Sequence, residues 1–548
     1  MPSITLNKNV FEKLVGKKLS LEKLKDRISM FGTDLDGISG NEINVEVFPN
    51  RPDMLSEQGF ARAFSSFIGV KKGLKEYKTL TSNEKVIIDN SVKSIRPFTT
   101  CAIVKGINFN DEKIKEVINI QEKLHITYGR NRKKVAIGIY PGEKIKYPIR
   151  FVGILPDEVE FKPLDGEKIM NGWQILREHP AGKEYGHLLE GRNKFPVFID
   201  ANDKVLSMPP IINSEEVGRV TENTKEVFIE CSGFDFEALG ICLNIIVTAL
   251  SDMGGKIYSV DIVDGKEKIK SPDLKSKEMK FSIDYANKLL GLKLKENDIK
   301  KLLERMGFGY RNKKVLVPCY RADILHEIDI VEDIAIAYGY ENFEPEVPNV
   351  STIGEENKLF KFEKKIKDLL IGQGLVEVNS YNITNKDEQS KLMENEIKLV
   401  ELQNSKSAEY NSLRAWLIPN LIKVLKENRH YDYPQNIFEV GTVFKENKEA
   451  ETNVEENDRV AVLLCHNKAD FTQAKQILDS LLSLLSLDCK VEDAEHGSFI
   501  PGRVGRVSVK GKNVAYVGEI HPKVLDNFEI NMPVAGFELN LTELFSLL

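Results

Sequence analysis

The spacing of hydrophobic positions divides this chain of 548 residues into amphipathic helices and short apolar strands. Apolar residues recur at helical spacing between Asp235 and Met253, which predicts a long helix there. Stretch 42–70 has the pattern of a strand, an Asn-Arg-Pro-Asp turn and a helix capped by Ser56. Further strands are predicted where β-branched and aromatic residues are bounded by Gly or Pro, at 134–142, 195–202 and 225–234.

Breaks in this pattern predict several domains, since a chain of this length exceeds a single hydrophobic core. A lysine-rich connector follows the first unit, and a Pro-punctuated stretch precedes the last. Residues 265–278 are charged, contain Ser-Pro and are expected to form a linker. The predicted domains span 1–80, 90–260, 270–347 and 355–548.

Composition narrows the class of protein. The most apolar run, LGICLNIIVTAL, is too short to span a membrane, and the first residues lack the pattern of an export signal. The six cysteines form no C-x-x-C pair, which argues against zinc and disulfides. We therefore expect a cytoplasmic protein without a membrane partner. Because the formal net charge is −6, any basic surface for nucleic acid must be local.

Four acids stand close together near residue 330: Asp323, Asp329, Glu332 and Asp333. On a helix, the last three share one face, and Asp323 lies where the chain enters it. Carboxylates grouped in this way suit Mg²⁺. Spacing alone favours the other interpretation, a solvated acidic face.

Four long stretches together resemble the β subunit family of phenylalanyl-tRNA synthetase, in its shorter archaeal and eukaryotic form. They are NRPDMLSEQGFARAFSSFIG, VPCYRADILHEIDIVEDIAIAYGYENF, NSLRAWLIPNLIKVLKENRHYDYPQNIFEVGTVF and AYVGEIHPKVLDNFEINMPVAGFELNL. The resemblance implies an α+β multidomain chain. Its parts would be an N-terminal α/β unit, a mixed editing domain, a winged-helix-like metal domain and a degenerate class II synthetase-like module with an antiparallel sheet.

The resemblance also implies a function, partners and cofactors. An enzyme of two α and two β chains would use ATP to attach phenylalanine to its tRNA. In that family, an R-x-D…D-x-x-E-[DE] pattern is a magnesium site, which favours Mg²⁺ at the four acids over a solvated face.

Amino-acid activation is not expected on this chain. The stretch NIFEVGTVF lacks the arginine of the ATP-binding F-R-x-E strand, and no G-x-G-x-x-R segment follows it. The resemblance assigns synthesis to the α subunit. We expect Arg414 and Trp416, which stand nearby, to serve the fold.

The second predicted domain resembles the family's editing domain, which would hydrolyse tyrosyl-tRNA. Glu230, predicted at a strand end, matches the family's acidic position and is expected to accept the tyrosine hydroxyl. His187, Asn213 and Ser214 are expected to position water or the ester. Structural roles remain open for these three: a surface histidine, and a helix-start or turn pair.

A basic cluster at Arg130, Arg132, Lys133 and Lys134 is predicted to contact tRNA phosphates, although a solvated loop explains it as well. The alternative to a synthetase subunit is a stand-alone aminoacyl-tRNA editing or RNA-binding protein. A winged-helix DNA-binding protein is a third interpretation, against which the net acidity counts.

Overall fold

A computed structural model describes residues 2–348 and 353–548. The chain divides into two compact units, 1–347 and 348–548. Both mix helices with predominantly antiparallel sheets, which confirms the α+β class. The finer division of the first unit into three domains stays a prediction.

The first unit begins with a three-stranded antiparallel sheet of order β1-β3-β2, packed with helices. Its elements are β1 (Ser3–Asn7), α1 (Lys8–Val15), α2 (Leu21–Met30), β2 (Asp34–Ser39), β3 (Glu42–Glu46) and α3 (Glu57–Phe67). The predicted cap is confirmed, because Ser56 Oγ accepts from the Gly59 amide at 3.0 Å. A Cβ on Gly59 would lie 1.9 Å from the Asp53 carbonyl oxygen, so the turn at 51–54 packs directly on α3.

An eleven-stranded sheet fills the middle of the first unit. Its main path runs β13-β12-β11-β8-β5-β15-β6-β14-β7, and β4 and β16 pair with β15. The strands are β4 (Thr79–Leu80), β5 (Lys85–Ile88), β6 (Phe98–Lys105), β7 (Val135–Pro141), β8 (Ile149–Ile154), β9 (Glu160–Phe161), β10 (Met170–Asn171), β11 (Phe195–Ile199), β12 (Val205–Met208), β13 (Ile212–Asn213), β14 (Glu226–Gly233), β15 (Lys256–Asp264) and β16 (Glu267–Ser271), with β9 and β10 forming a separate pair.

Helices accompany this sheet: α4 (Asp111–Ile126), α5 (Gly172–Glu178), α6 (Pro180–Tyr185), α7 (Glu215–Gly218) and α8 (Phe236–Asp252). The long predicted helix is confirmed as α8, and Asp235 caps it by accepting from the Ala238 amide at 3.1 Å. Most of α8 is buried, as expected of a helix that is apolar on nearly all sides.

The expected linker at 265–278 is partly strand. Residues 267–271 form β16, which pairs antiparallel with β15, residues 272–276 form neither helix nor strand, and 277–278 begin the next strand, β17 (Lys277–Lys280). The side chains of β16 are mostly exposed, so the charged composition is that of an edge strand facing solvent.

The first unit ends with a three-stranded sheet of order β17-β19-β18 and three helices. These elements are β17 (Lys277–Lys280), α9 (Ile283–Leu290), α10 (Glu296–Arg305), β18 (Gly309–Arg311), β19 (Lys314–Val317) and α11 (Glu327–Tyr338). Buried apolar side chains of α10 and α11 join the same core as those of α3 and α8.

The second unit is built on a seven-stranded sheet of order β20-β23-β24-β28-β27-β26-β25, antiparallel apart from β20 with β23. Its elements are α12 (Lys358–Gly372), β20 (Val376–Glu377), β21 (Ile383–Thr384), α13 (Lys386–Gln389), β22 (Ser412–Leu413), α14 (Ile418–Glu427), β23 (Gln435–Glu446), β24 (Val454–Cys465), α15 (Phe471–Leu484), β25 (Cys489–Asp493), β26 (Phe499–Val509), β27 (Lys512–Ile520), α16 (Pro522–Asn527), β28 (Val534–Asn540) and α17 (Leu541–Ser546). Across the described ranges, no helix is both long and apolar enough to cross a membrane.

Candidate functional site

Glu230 lies inside the eleven-stranded sheet. It is in the middle of β14 rather than at a strand end, which corrects the prediction, and its neighbours are Cys101 on β6 and Gly138 on β7. Its side chain is buried at 1% exposure. A Cβ on Gly138 would lie 2.6 Å from Glu230 Oε1, so only glycine leaves room for the carboxyl group.

The Glu230 carboxyl group is only partly satisfied. Tyr140 Oη donates to its Oε1 at 3.1 Å and also lies 2.8 Å from Ser207 Oγ. The other oxygen, Oε2, is buried and has no hydrogen-bond partner among the residues that the structure describes. Burial raises the Glu230 pKa to about 8, and the Tyr140 hydrogen bond, the Arg96 charge and the nearby Ser232 hydroxyl only partly oppose it. The group is therefore largely protonated near neutral pH.

Glu230 lines a cavity of about 100 Å³, together with residues of α4, β7, the loop 209–212 and Asn213. Arg132 enters the same cavity: its Nη1 donates to the Ile211 carbonyl at 2.8 Å, and its guanidinium lies 4.1 Å from the Tyr185 ring centroid. His125 is buried there, and its Nε2 accepts from the Ile137 amide at 2.8 Å. Burial lowers the His125 pKa, so this imidazole is neutral.

The structure brings together only part of the predicted editing set. Asn213 lines the cavity, and its Oδ1 is 3.4 Å from Tyr140 Oη. Ser214 instead caps α7, where its Oγ accepts from the Glu216 amide at 3.3 Å. His187 is exposed, with Nδ1 3.0 Å from the Glu184 carbonyl oxygen, and lies outside the lining of this cavity.

Sequence reasoning missed Tyr140 and His125. A signal existed for Tyr140, because KVAIGIYPG was predicted as a strand and places this tyrosine two residues after a glycine. What was not visible is that β7 pairs with β14 and so brings the hydroxyl to Glu230.

The basic cluster divides into two groups. Arg130, Asn131 and Arg132 all have positive φ, at 50°, 51° and 64°, so the chain turns tightly after α4. This turn directs Arg132 into the cavity, whereas Arg130 and Lys133 remain exposed. Lys134 lies over Tyr128, with Nζ 4.8 Å from the ring centroid.

Three of the four acids of the predicted magnesium site, Asp323, Asp329 and Asp333, are held by protein groups. Arg321 donates to Asp323 through Nε at 2.8 Å and Nη2 at 2.7 Å, and Nη2 also donates to Asp333 at 2.7 Å. Asp329 Oδ2 accepts from the amides of Leu325 and His326 at 2.8 and 2.7 Å.

The pKa shifts of these acids reflect the contacts just described. Although burial opposes ionisation, Arg321 lowers the pKa of Asp323. Burial and the neighbouring acids raise the pKa of Glu332. Within residues 2–348 and 353–548, no three His, Cys, Asp or Glu side chains are arranged to hold a metal ion. The acids do not fit Mg²⁺ in this arrangement, so the magnesium site stays a prediction without structural support.

Arg414 and Trp416 are both buried by protein contacts, as expected of residues that serve the fold. Arg414 Nη1 donates to Glu439 at 2.6 Å, and Trp416 Nε1 donates to the Gln389 carbonyl at 3.0 Å. Glu439 lies on β23, within the stretch NIFEVGTVF.

Comparison with known proteins defines the class. Residues 279–340 match the family model of the tRNA synthetase B5 domain, and residues 344–541 match that of the phenylalanyl tRNA synthetase beta chain CLM domain. These domains make the chain a component of an aminoacyl-tRNA synthetase.

Whole-chain relatives give the particular family. The beta subunit of phenylalanine--tRNA ligase from Pyrococcus abyssi is 42% identical, with 100% of each chain covered. That from Thermococcus sibiricus is 41% identical, covering 99% of this chain and 98% of the relative. The chain belongs to the family of phenylalanine--tRNA ligase beta subunits, as the sequence motifs predicted.

A solved structure agrees with this assignment over the first unit. The crystal structure of an N-terminal fragment of the phenylalanyl-tRNA synthetase beta subunit from Pyrococcus horikoshii aligns with a TM-score of 0.59 and 40% identity. The alignment covers 62% of this chain and 99% of the fragment.

Proposed function

We propose that this beta subunit hydrolyses tyrosyl-tRNA at the cavity beside Glu230, within an enzyme of two α and two β chains that attaches phenylalanine to its tRNA. The observation that carries the proposal is the buried Glu230 Oε2, which has no hydrogen-bond partner in the described part of the chain and lines a cavity. A buried polar atom left in this state costs about 1–3 kcal/mol. A ligand hydroxyl at this oxygen would remove that cost.

Proofreading is needed because the synthetic site alone discriminates poorly between phenylalanine and tyrosine. A pocket shaped for phenylalanine discriminates only about a hundredfold against an isostere that adds a hydroxyl. A second site that hydrogen-bonds the hydroxyl rejects phenylalanine, because its own polar group would then stay unpaired. Since Glu230 is largely protonated near neutral pH, we infer that a neutral carboxyl group meets the tyrosine hydroxyl.

The cavity must widen when it binds its substrate. A cavity of about 150 Å³ holds benzene, and the one beside Glu230 is about 100 Å³. We assign Asn213 to the position next to the hydroxyl, since its Oδ1 is near Tyr140 Oη. We assign Ser214 a structural role as the cap of α7. We assign His187 no role in editing, because it is an exposed surface residue.

The second unit supports a degenerate class II module that does not activate amino acids. Glu439 on β23 is already bound by Arg414 Nη1, the Ser380 amide and Ser380 Oγ. We therefore assign ATP, its Mg²⁺ and phenylalanine activation to the α subunit. The chain alone should not exchange pyrophosphate into ATP with phenylalanine present, whereas the chain with its α subunit should.

We assign tRNA contacts to Arg130 and Lys133, the exposed members of the basic cluster. Each phosphate contact contributes a slope of about −0.9 to the dependence of log affinity on log salt. Replacing either residue by alanine should reduce the steepness of that slope by roughly one. An unchanged slope would make the cluster a solvated loop.

The direct test of the proposal is deacylation of tyrosyl-tRNA by the enzyme assembled with its α subunit. Glu230→Ala should slow hydrolysis of tyrosyl-tRNA and leave phenylalanine activation unchanged. Glu226→Ala is a matched control, because Glu226 lies on the same strand and forms an ion pair with Lys105 outside this cavity. Equal losses in both variants, or no loss in Glu230→Ala, would contradict the proposal.

A further inference from the structure

A second cavity lies in the first unit, away from Glu230, and we call it the arginine cavity. It has a volume of about 330 Å³. It is lined by the turn before α3, by α3 itself, by the connector 71–75, by the last residue of α8, and by residues that follow α10 and precede α11. This volume is within the range of pockets that bind small molecules. Neither the family assignment nor the proposed editing reaction uses it.

Three arginines line the arginine cavity, and each forms hydrogen bonds with at least one carboxylate. Arg51 donates to Asp53 through Nε and Nη2, both at 2.9 Å. Arg62 Nη1 donates to Asp252 at 2.8 Å, and its guanidinium lies 4.0 Å from the Tyr320 ring centroid. Arg321 is held by Asp323 and Asp333. The guanidinium groups are therefore positioned before any ligand arrives.

Three buried polar atoms of residues that line this cavity lack a hydrogen-bond partner within the described part of the chain. They are Arg62 Nη2, Arg321 Nη1 and Gln58 Oε1. The side chains of Arg62 and Arg321 are exposed by only 10% and 2%. Buried polar groups are normally paired, so unpaired groups at one cavity point to a ligand.

The charge of the lining defines the sign of that ligand. Three exposed lysines, Lys71, Lys72 and Lys75, add to the arginines. Six cationic side chains therefore line the cavity, and four carboxylates pair with them: Asp53 and Asp252 in the lining, and Asp323 and Asp333 at Arg321. The excess of charge at the cavity is positive. Guanidinium nitrogens that project in a fixed geometry are well suited to phosphate oxygens.

We propose that the arginine cavity binds a small phosphate monoester that also carries hydroxyl groups, such as a sugar phosphate. The phosphate accepts from Arg62 Nη2 and Arg321 Nη1, while a hydroxyl donates to Gln58 Oε1. The burial of these three atoms favours a compact ligand over an RNA backbone, which needs an open groove. This inference does not rest on the editing proposal.

The test is equilibrium dialysis of the full chain with radiolabelled ribose 5-phosphate and, separately, with radiolabelled inorganic phosphate. We expect saturable binding of one equivalent of ribose 5-phosphate and weaker binding of phosphate, which lacks the sugar hydroxyls. Binding that rises linearly without saturation would overturn the proposal. So would displacement of labelled phosphate by tRNA without displacement by ribose 5-phosphate, because that result would assign the cavity to RNA.

Two variants locate the binding site. Arg62→Lys keeps a positive charge beside Asp252 but removes Nη2, and should weaken binding about ten- to a hundredfold, as loss of a charge-assisted hydrogen bond does. Lys72→Glu changes an exposed residue, so it tests the same cavity without a risk to folding. It should weaken binding several-fold.

The matched control is Lys365→Glu, an exposed lysine on α12. It makes the same change of charge and should leave binding unaltered. Equal weakening in Lys72→Glu and Lys365→Glu would mean that only net charge matters, which would overturn the proposal. A melting curve for each variant confirms that it is folded.

Discussion

Two buried glutamates lie on strands of the two main sheets, and their surroundings differ. Glu230 on β14 and Glu439 on β23 are each exposed by only 1%. Both oxygens of Glu439 are bound, by Arg414 and Ser380. Glu230 has Tyr140 at one oxygen, and the other lacks a partner in the described ranges.

The comparison separates a carboxylate that stabilises a fold from a carboxyl group available to a ligand. Glu439 forms an ion pair and accepts hydrogen bonds, so its interactions are complete within the protein. Glu230 lies beside a cavity, and its Oε2 lacks a hydrogen-bond partner in the described ranges, which is the basis of the proposal that a ligand binds there. Burial alone therefore does not identify a functional acid.

The largest expected effect is a loss of stability when Glu439 loses the arginine that pairs with it. Arg414→Ala leaves the Glu439 charge buried without its cation, and should lower the free energy of unfolding by about 3–5 kcal/mol. Chemical denaturation measures it. Arg429→Ala is the control, because Arg429 and Glu529 form an exposed ion pair, for which the expected loss is about 0–1 kcal/mol. Similar losses in both variants would contradict a structural role for the buried pair.

The second prediction concerns pH. Because the Glu230 pKa rises from 4.5 to about 8 on folding, the native state keeps a proton that the unfolded chain releases between these values. The contribution of Glu230 to stability is thus fully present below pH 4.5 and is lost as the pH rises through about 8. Glu230→Gln cannot ionise, so its stability relative to the unmodified protein should increase from pH 5 to pH 8.

Denaturation curves of both proteins at several pH values check this. Glu57, whose pKa burial raises to about 7, is present in both and cancels in the difference. A difference that is constant with pH would mean that Glu230 is ionised throughout and that its carboxyl group is solvated.

Ser214→Ala tests a smaller effect. Loss of the cap on α7 should lower the free energy of unfolding by about 1 kcal/mol, because Ser214 Oγ accepts from the Glu216 amide. Hydrolysis of tyrosyl-tRNA, measured on the same preparation, should be unchanged. A loss of hydrolysis without a loss of stability would return Ser214 to the editing site.

The smallest effect is expected for His187→Ala. Since the imidazole is exposed and lies outside the cavity lining, both stability and tyrosyl-tRNA hydrolysis should stay close to those of the unmodified protein. A fall in hydrolysis of tenfold or more would show that this histidine moves to the ester during the reaction.

Local signals in the sequence predicted local structure. The cap at Ser56 and the helix between 235 and 253 follow from residues that are neighbours in the chain. Within 265–278, the strand β16 was not predicted, because it depends on pairing with β15 and its own composition is charged. Pairing between strands is where the sequence pattern is least informative.

The candidate sites show the same contrast between local signals and contacts that depend on how the chain folds. The resemblance made Glu230 a candidate, but its burial, its Tyr140 partner and its unpaired oxygen depend on how β6, β14 and β7 pair. At the acidic cluster, spacing identified the carboxylates but not the hydrogen bonds that Arg321 donates to Asp323 and Asp333. Neither contact is encoded in spacing along one helix or strand.

The central claim is that Glu230 serves the substrate rather than the fold, and one variant tests it most directly. Glu230→Gln in the enzyme assembled with its α subunit should keep or raise the melting temperature at pH 8, yet reduce the preference for hydrolysing tyrosyl-tRNA over phenylalanyl-tRNA. The reduction should be smaller than in Glu230→Ala, because the amide retains one acceptor. A lower melting temperature with an unchanged preference would make Glu230 a structural acid and contradict the account.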